Sequence, residues 1–309
     1  MAEGTLLRSP ATHEFTAAKA FTSGEVVQLI DGRAGVYNGL NAAAIGDQVS
    51  VAVEGEYTLA KTASVVMLEG QRVYWVKSTG KANYTGDFYI GLVVADAAAA
   101  ATTVRVRINE HPPHDVDVMK NWMDDVALLG LGVTRVGDQV QLAFDAVAEV
   151  AAAHALSGIS VPVASGMILD FEMAIFDIGD DGALDINVGL ANATHASDCD
   201  SITESVFIHL DGSALSILAE SDDGTTEVAA TDTTVDAVDD TWFRVQIDAR
   251  TTTDIQIYIN GVNVLPASVF KLNAATGPMK FLAHIEKTSN DTTADVRVRR
   301  VTLQPGSVI

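Results

Sequence analysis

Apolar and polar positions alternate along much of this chain. The run Thr103-Val104-Arg105-Val106-Arg107-Ile108 alternates strictly, so one of its faces is buried and the other wet. The same period returns in Asp295-Val296-Arg297-Val298-Arg299 and in Asp254-Ile255-Gln256-Ile257-Tyr258-Ile259. Shorter runs rich in Val, Ile and Tyr at 26–30, 48–53, 72–76 and 89–94 are bounded by turn residues and read as strands. Asp31-Gly32, Asp211-Gly212 and Asn260-Gly261 divide neighbouring runs. Such dipeptides accept the positive φ that tight hairpins need. Many short strands, hairpin signals and few helical stretches predict an all-β chain of barrels or sandwiches.

Two Ala-rich stretches test that reading. Residues 97–101 have helical propensity but are only five long and run straight into a strand, so they are expected to be a loop. Residues 144–156 fit a helix face through Phe144, Val147, Ala148 and Ala151. They also alternate from Val140 through Leu142, Phe144, Ala146, Ala148 and Val150, which keeps the charges on one side. That alternation starts further upstream and favours a strand. A seam is expected at 109–130, where Pro112-Pro113 ends a strand. Val116, Met119, Met123 and Val126 then recur at spacings of a short amphipathic helix capped by Asp115. The division that follows is an extended arm over 1–20, a small domain over 21–108, a linker with a short helix over 109–130, and a larger domain over 131–309.

Charge sharpens this division. Residues 1–108 carry nine Lys and Arg against ten Asp and Glu, whereas 109–309 carry ten against 31, for a net of −22 over the chain. A near-neutral half can lie against other protein surfaces, while a strongly acidic half repels copies of itself and stays in water. The acidic balance speaks against nucleic acid and anionic membrane surfaces as partners. No apolar run approaches the ~20 residues of a membrane helix, and no signal-peptide pattern opens the chain, so a soluble protein made in a cytoplasm is expected. The single Cys199 excludes an internal disulfide and a Cys-based zinc cluster.

Chemistry-bearing motifs are sparse, and no enzyme is expected. There is no Gly-x-Ser-x-Gly, His-Glu-x-x-His or phosphate loop. Asp170 and Glu172 share one face of a strand, as a sugar-cleaving pair would, but a solvated outer face explains them more simply. His111 and His114 flank the Pro pair and lack a third ligand at metal spacing. The best metal candidate is calcium at Asp177, Asp180, Asp181 and Asp185, with Gly179 and Gly182 in the loop and Asp198 and Asp200 in the next one. That run lacks the terminal Glu of an EF-hand, and a solubilising acidic turn is its alternative reading.

A resemblance adds to this. Gly24-Glu25-Val26-Val27-Gln28-Leu29-Ile30-Asp31-Gly32-Arg33-Ala34-Gly35-Val36, then Val51-Ala52-Val53-Glu54-Gly55-Glu56-Tyr57-Thr58-Leu59-Ala60-Lys61, and finally the close at 103–108 appear in a fixed order. Residues 21–108 thereby resemble the capsid decoration, or cement, proteins of tailed bacteriophages, departing mildly at Glu25, where Asp is usual, and Ala60, where Pro is usual. The resemblance implies a small β-barrel that binds the outside of an assembled capsid as a homotrimer, with the major capsid protein as partner. On that reading the arm would grip the lattice through Leu6, Leu7 and Phe15, adding to an exposed edge or lying along a neighbour. Residues 131–303, through 166–173, 241–248, 255–261 and 297–301, resemble a concanavalin-like or laminin-G-like jelly roll. Such a sandwich hosts lectins, enzymes and spacers alike. An outward-facing domain is the expectation, with binding of host-surface glycans as the alternative.

Overall fold

The computed structural model describes residues 12–110, 122–125, 132–136 and 139–306. Among these residues the chain is strand and turn with no α-helix, and every paired strand is antiparallel except one isolated bridge. The all-β expectation therefore holds. The chain divides into two compact units, Met1–Pro113 and His114–Ile309.

The first unit has nine strands: β1 (Thr12–Thr16), β2 (Val26–Gln28), β3 (Ala34–Tyr37), β4 (Gln48–Ala52), β5 (Glu56–Ala60), β6 (Arg72–Val76), β7 (Lys81–Asn83), β8 (Phe88–Val93) and β9 (Thr103–Ile108). They form a four-stranded sheet in the order β1-β4-β3-β2 and a five-stranded sheet in the order β5-β9-β8-β6-β7. The expected barrel is thus not closed. Its edge strands β2 and β7 are three residues each, too short to carry a hydrogen-bond ladder around a closed wall. The two sheets share a core: Val26, Ala34 and Val36 from one pack with Leu59, Val73, Ile90, Val104 and Val106 from the other. In β9 the alternation read from sequence is realised, with Val104, Val106 and Ile108 buried and the residues between them exposed.

Three details of this unit come from tertiary contacts. Lys61, which closes the family-like Thr58-Leu59-Ala60-Lys61 run, is among the largest fully buried side chains. Its ammonium donates to the carbonyls of Thr62 and Val65, which makes it a structural clamp, and burial lowers its pKa. Gly91 has φ +147 beside a register shift in β8, and a Cβ there would lie 2.0 Å from the Arg107 carbonyl oxygen. Asn109, which lies in the linker expected from sequence, makes its contacts with this unit. Its side chain accepts from the Ala34 amide at 2.8 Å and donates to the Ala34 and Val53 carbonyls at 2.8 and 2.7 Å. It stands in for a strand partner just where β4 stops.

The second unit holds β10 (Trp122–Asp125), β11 (Gly132–Val136), β12 (Gln139–Phe144), β13 (Glu149–Pro162), β14 (Met167–Asp177), β15 (Leu184–Ala191), β16 (Glu204–Asp211), β17 (Ser216–Asp223), β18 (Glu227–Asp236), β19 (Phe243–Asp248), β20 (Gln256–Ile259), β21 (Val262–Asn263), β22 (Pro278–Asn290) and β23 (Ala294–Pro305). Two seven-stranded sheets result, β10-β13-β22-β15-β16-β17-β18 and β11-β12-β23-β14-β19-β20-β21. One core cluster joins them, with Phe171, Met173 and Val296 from one sheet against Val188, Ile208 and Phe281 from the other. This is the antiparallel sandwich expected of a jelly roll.

Two local expectations need correction. The helix expected around Met123 is a strand: Trp122–Asp125 pairs with Ser157–His154 of β13. A lone helix of a dozen residues is marginal in water, whereas the edge of β13 satisfies this backbone directly. Val116, Met119 and Val126 lie outside the described residues. The strand favoured over 144–156 is present but broken. β12 ends at Phe144 and β13 starts at Glu149. The buried Lys287 holds the break, donating to the carbonyls of Asp145 and Val147 at 2.9 Å each. Asn260-Gly261 forms its hairpin as read, with φ of 51° and 77° at the two residues.

Candidate functional site

Sequence-derived candidates meet mixed fates. Leu6, Leu7, His111 and His114 lie outside the described residues. Phe15, expected on a free arm, sits in β1, whose five residues pair with 48–52 of β4. Its ring meets Phe21 edge-on at 5.9 Å and packs against a small core of Phe21, Tyr37, Val49 and Val51. It is a sheet residue, because extended backbone beside β4 gains hydrogen bonds there that a loose arm lacks. Asp170 and Glu172 share a face as expected, but that face is buried and ion-paired rather than solvated. Arg244 Nε donates to Asp170 at 2.6 Å, while Arg299 and Arg300 hold Glu172 at 2.7 and 2.9 Å. The oxygens of both carboxylates are thus engaged by guanidinium groups.

The four calcium candidates do not converge. Asp177 accepts from the Gly179 amide and the Thr293 hydroxyl, and Asp181 from the Ala183 amide. Those carboxylates shape their own turn, and Asp180 is exposed beside them. Asp185 instead stands on β15 among another set of groups.

That set gathers Asp185, Asp200, Asp211 and Glu220 around one imidazole, that of His209. Strand register aligns it. Asn187 lies opposite both His209 and His284, and Asp185 opposite both Asp211 and Glu286. Glu220 of β17 stands opposite Phe207, one step along the same face. The turn at Cys199–Ser201 brings Asp200 over this face, held down by the Cys199 amide donating to Glu286 at 2.9 Å. Cys199 itself is buried with Leu156, Phe207 and Leu282, and burial pushes its thiol up, so it is inert. His209 is buried, with Nε2 at 2.7 Å from Asp211 and Nδ1 at 3.5 Å from Glu220 and 3.7 Å from Asp200.

The electrostatics follow from geometry. Burial pushes Asp185 up to about 6 against the pull of His209. Asp200 is raised too, by burial and then by Glu220. Burial disfavours a charged imidazole at His209, but its contacts with Glu220 and Asp211 outweigh this and lift it to about 9. All three folded-state values lie above the ordinary 3.8 and 6.5. Each group therefore stabilises the fold at low pH and loses that contribution as pH rises through its folded value. In chelator, thermal stability should fall in two steps, the carboxylates acting between about pH 4 and 6 and His209 between about 6.5 and 9. Melting curves of the chain and of His209→Gln test this. A wild-type midpoint that stays level above pH 6.5, or a variant that falls just as steeply, would refute it.

Sequence reading named Asp185 and Asp200 but grouped them with the 177–181 loop, and it missed His209, Asp211, Glu220 and Glu286, because the members are scattered from Asp185 to Glu286 and only strand pairing unites them. The signal available was the alternation of Asp185, Asn187 and Gly189 with apolar neighbours, which placed them on one unassigned face.

The first unit carries a different surface. Ile30, Leu40 and Ile45 are 103%, 100% and 74% exposed, unusually bare for large aliphatic side chains. Ile30 also borders an open cleft of about 1090 Å³ between the two sheets, walled by Phe15, Phe21, Leu59, Trp75 and Phe88.

No curated protein matches the chain. Solved structures of similar outline include alginate lyase AlgAT5 from polysaccharide lyase family 7, at 16% identity over 62% of this chain and 98% of that one, TM-score 0.44. Others are the carbohydrate binding module CBM66 from Bacillus subtilis, at 10% over 60% and 95%, TM-score 0.40, and the potassium-bound carbohydrate recognition domain of Emp46p, at 10% over 62% and 91%, TM-score 0.40. Likeness at this level says nothing about the chemistry of this chain. The sequence comparison is more specific: residues 8–108, nearly the whole first unit, match the phage cement protein family.

Proposed function

We propose that this protein is a virion decoration protein whose first unit binds the outer surface of an assembled phage capsid and stabilises it. The family match over residues 8–108 carries this reading. Two physical features support it. The segment 1–108 is almost electrically neutral, with nine basic against ten acidic residues, and Ile30, Leu40 and Ile45 offer apolar side chains to a partner surface. A subunit lattice repeats its contact sites, so a trimer of this chain would engage several at once and gain avidity without new contacts. The second unit, with most of the acidic charge, stays in solvent and keeps decorated particles apart. The protein acts by clamping, with the major capsid protein as partner and no chemical step.

Co-sedimentation with capsids stripped of their decoration is the test. The chain should saturate the particles and raise their resistance to heat. Replacing Ile30, Leu40 and Ile45 together by Asp should weaken binding more than tenfold, or ~1.4 kcal/mol, with the far-ultraviolet spectrum unchanged. Deleting residues 2–10 leaves β1 intact and asks whether Leu6 and Leu7 add to the grip. A chain that fails to sediment with any stripped capsid, or a triple variant that binds as tightly as wild type, would overturn the assignment.

A further inference from the structure

The acidic face around His209 has a feature that capsid binding does not use. Three carboxylates, Asp200, Asp211 and Glu220, lie within 3.7 Å of the His209 ring nitrogens. Asp185 and Glu286 stand beside them, with Glu286 held by His284 at 2.7 Å, and among the described residues no Lys or Arg pairs with any of the five. Such an excess of negative charge in a partly buried place calls for a cation. We infer that His209, Asp200 and Glu220 bind a first-row divalent cation, Zn²⁺ or Mn²⁺, with Asn187 as a fourth ligand.

The ligand atoms of Asp200, His209 and Glu220 all lie within 4.8 Å of one another. His209 Nδ1 is 3.7 and 3.5 Å from its two carboxylate oxygens. Neighbouring ligands bound at about 2.1 Å to a common ion stand roughly 3–3.5 Å apart, so little movement is needed. The second observation is independent of the acids. Asn187 is fully buried, and its Oδ1 has no hydrogen-bond partner, while its Nδ2 contacts Asp200 Oδ1 at 3.1 Å. The two ends of an amide are interchangeable in such an assignment. Turned over, Asn187 presents its oxygen to the ion beside Asp200, in exchange for the hydrogen bond its Nδ2 makes there. His209 Nδ1 is likewise buried without a hydrogen bond.

The surroundings complete the arrangement. His209 Nε2 faces Asp211 at 2.7 Å, the carboxylate–imidazole contact that fixes a ligating ring and raises its basicity. One imidazole with three oxygens suits Zn²⁺ or Mn²⁺, whereas Ca²⁺ takes six to eight oxygens. The ion would tie the Cys199–Ser201 turn to β16 and β17, and so pin the segment that covers Leu156, Phe207 and Leu282. This inference is independent of capsid binding.

The test is isothermal titration of the chelator-treated full chain with ZnCl₂ and MnCl₂ at neutral pH, with CaCl₂ as contrast. One saturable site per chain is expected for Zn²⁺ or Mn²⁺, with a rise in melting temperature on saturation. Asp200→Asn and Glu220→Gln should each weaken that site at least tenfold and abolish the thermal shift. Asp200 is half exposed in a turn and Glu220→Gln keeps its volume, so melting without metal should show both variants folded. Binding at scattered surface histidines would survive both substitutions. No saturable binding of either ion, affinity unchanged in both variants, or equally tight binding of Ca²⁺ would each overturn the site.

Discussion

Asp170→Ala is expected to cost the second unit about 3–5 kcal/mol, the range for breaking a buried ion pair from one side. Arg244 is 4% exposed, and Asp170 grips it through both carboxylate oxygens. The pair sits on the outer face of β14 and β19, next to Glu172 with its own two arginines. Removing the carboxylate leaves a guanidinium that is always charged in a site where water cannot fully replace the lost partner. For a unit of this size the melting temperature should drop by about 10 °C. The double substitution Asp170→Leu with Arg244→Met removes both charges and should recover most of the loss, because the penalty lies in a buried charge that has lost this carboxylate. Calorimetry of the three chains decides. A loss below about 1 kcal/mol in the single variant would place the pair among exposed, screened ion pairs.

Asn109→Ala should destabilise the first unit by about 3 kcal/mol. Its amide makes three hydrogen bonds to backbone groups of Ala34 and Val53. Ala34 is fully buried, so its freed amide and carbonyl would find no water, at about 1 kcal/mol or more for each lost bond. The residue also holds φ at 56°, a conformation that Asn tolerates better than Ala. Hydrogen exchange gives a local reading: the Ala34 amide should lose protection first, followed by its neighbours in β3 and β4. Asn109→Asp keeps an acceptor for the Ala34 amide but no donor for the two carbonyls, and should fall between wild type and Ala. Protection of Ala34 unchanged in the Ala variant would show that the strands hold without this staple.

Much of the secondary structure was legible from local pattern. The alternation at 103–108 became β9, with three valine and isoleucine side chains buried. Asn260-Gly261 became a hairpin because its conformational preference is intrinsic to the two residues. The order of short motifs between 24 and 108 pointed to the family that residues 8–108 match.

Other features depended on partners remote in sequence. Nothing near 119–126 reveals that Trp122–Asp125 will find the edge of β13. Met123 fits a helix period until a strand offers its backbone a ladder. The alternation through 140–150 reads as continuous, yet a lysine more than a hundred residues away holds the chain open at Asp145 and Val147. Asp170 and Glu172 look like any polar outer face until Arg244, Arg299 and Arg300 cover them.

The chemistry-bearing residues divide along the same line. The sequence by itself determined that the chain is β-rich, that its acidic charge gathers after residue 108, and that alternation sets side chains of β15, β16 and β17 on opposite faces, because those properties reside in composition and in the two-residue period of a strand. Only the tertiary structure decided which faces meet. Sequence proximity grouped Asp185 with Asp177, Asp180 and Asp181, whereas strand register set it opposite Asp211 and Glu286 and beside His209. Neighbours across a sheet stand about 5 Å apart however far apart they lie in the chain. A cluster built from four strands and a turn therefore leaves no spacing to read in the sequence.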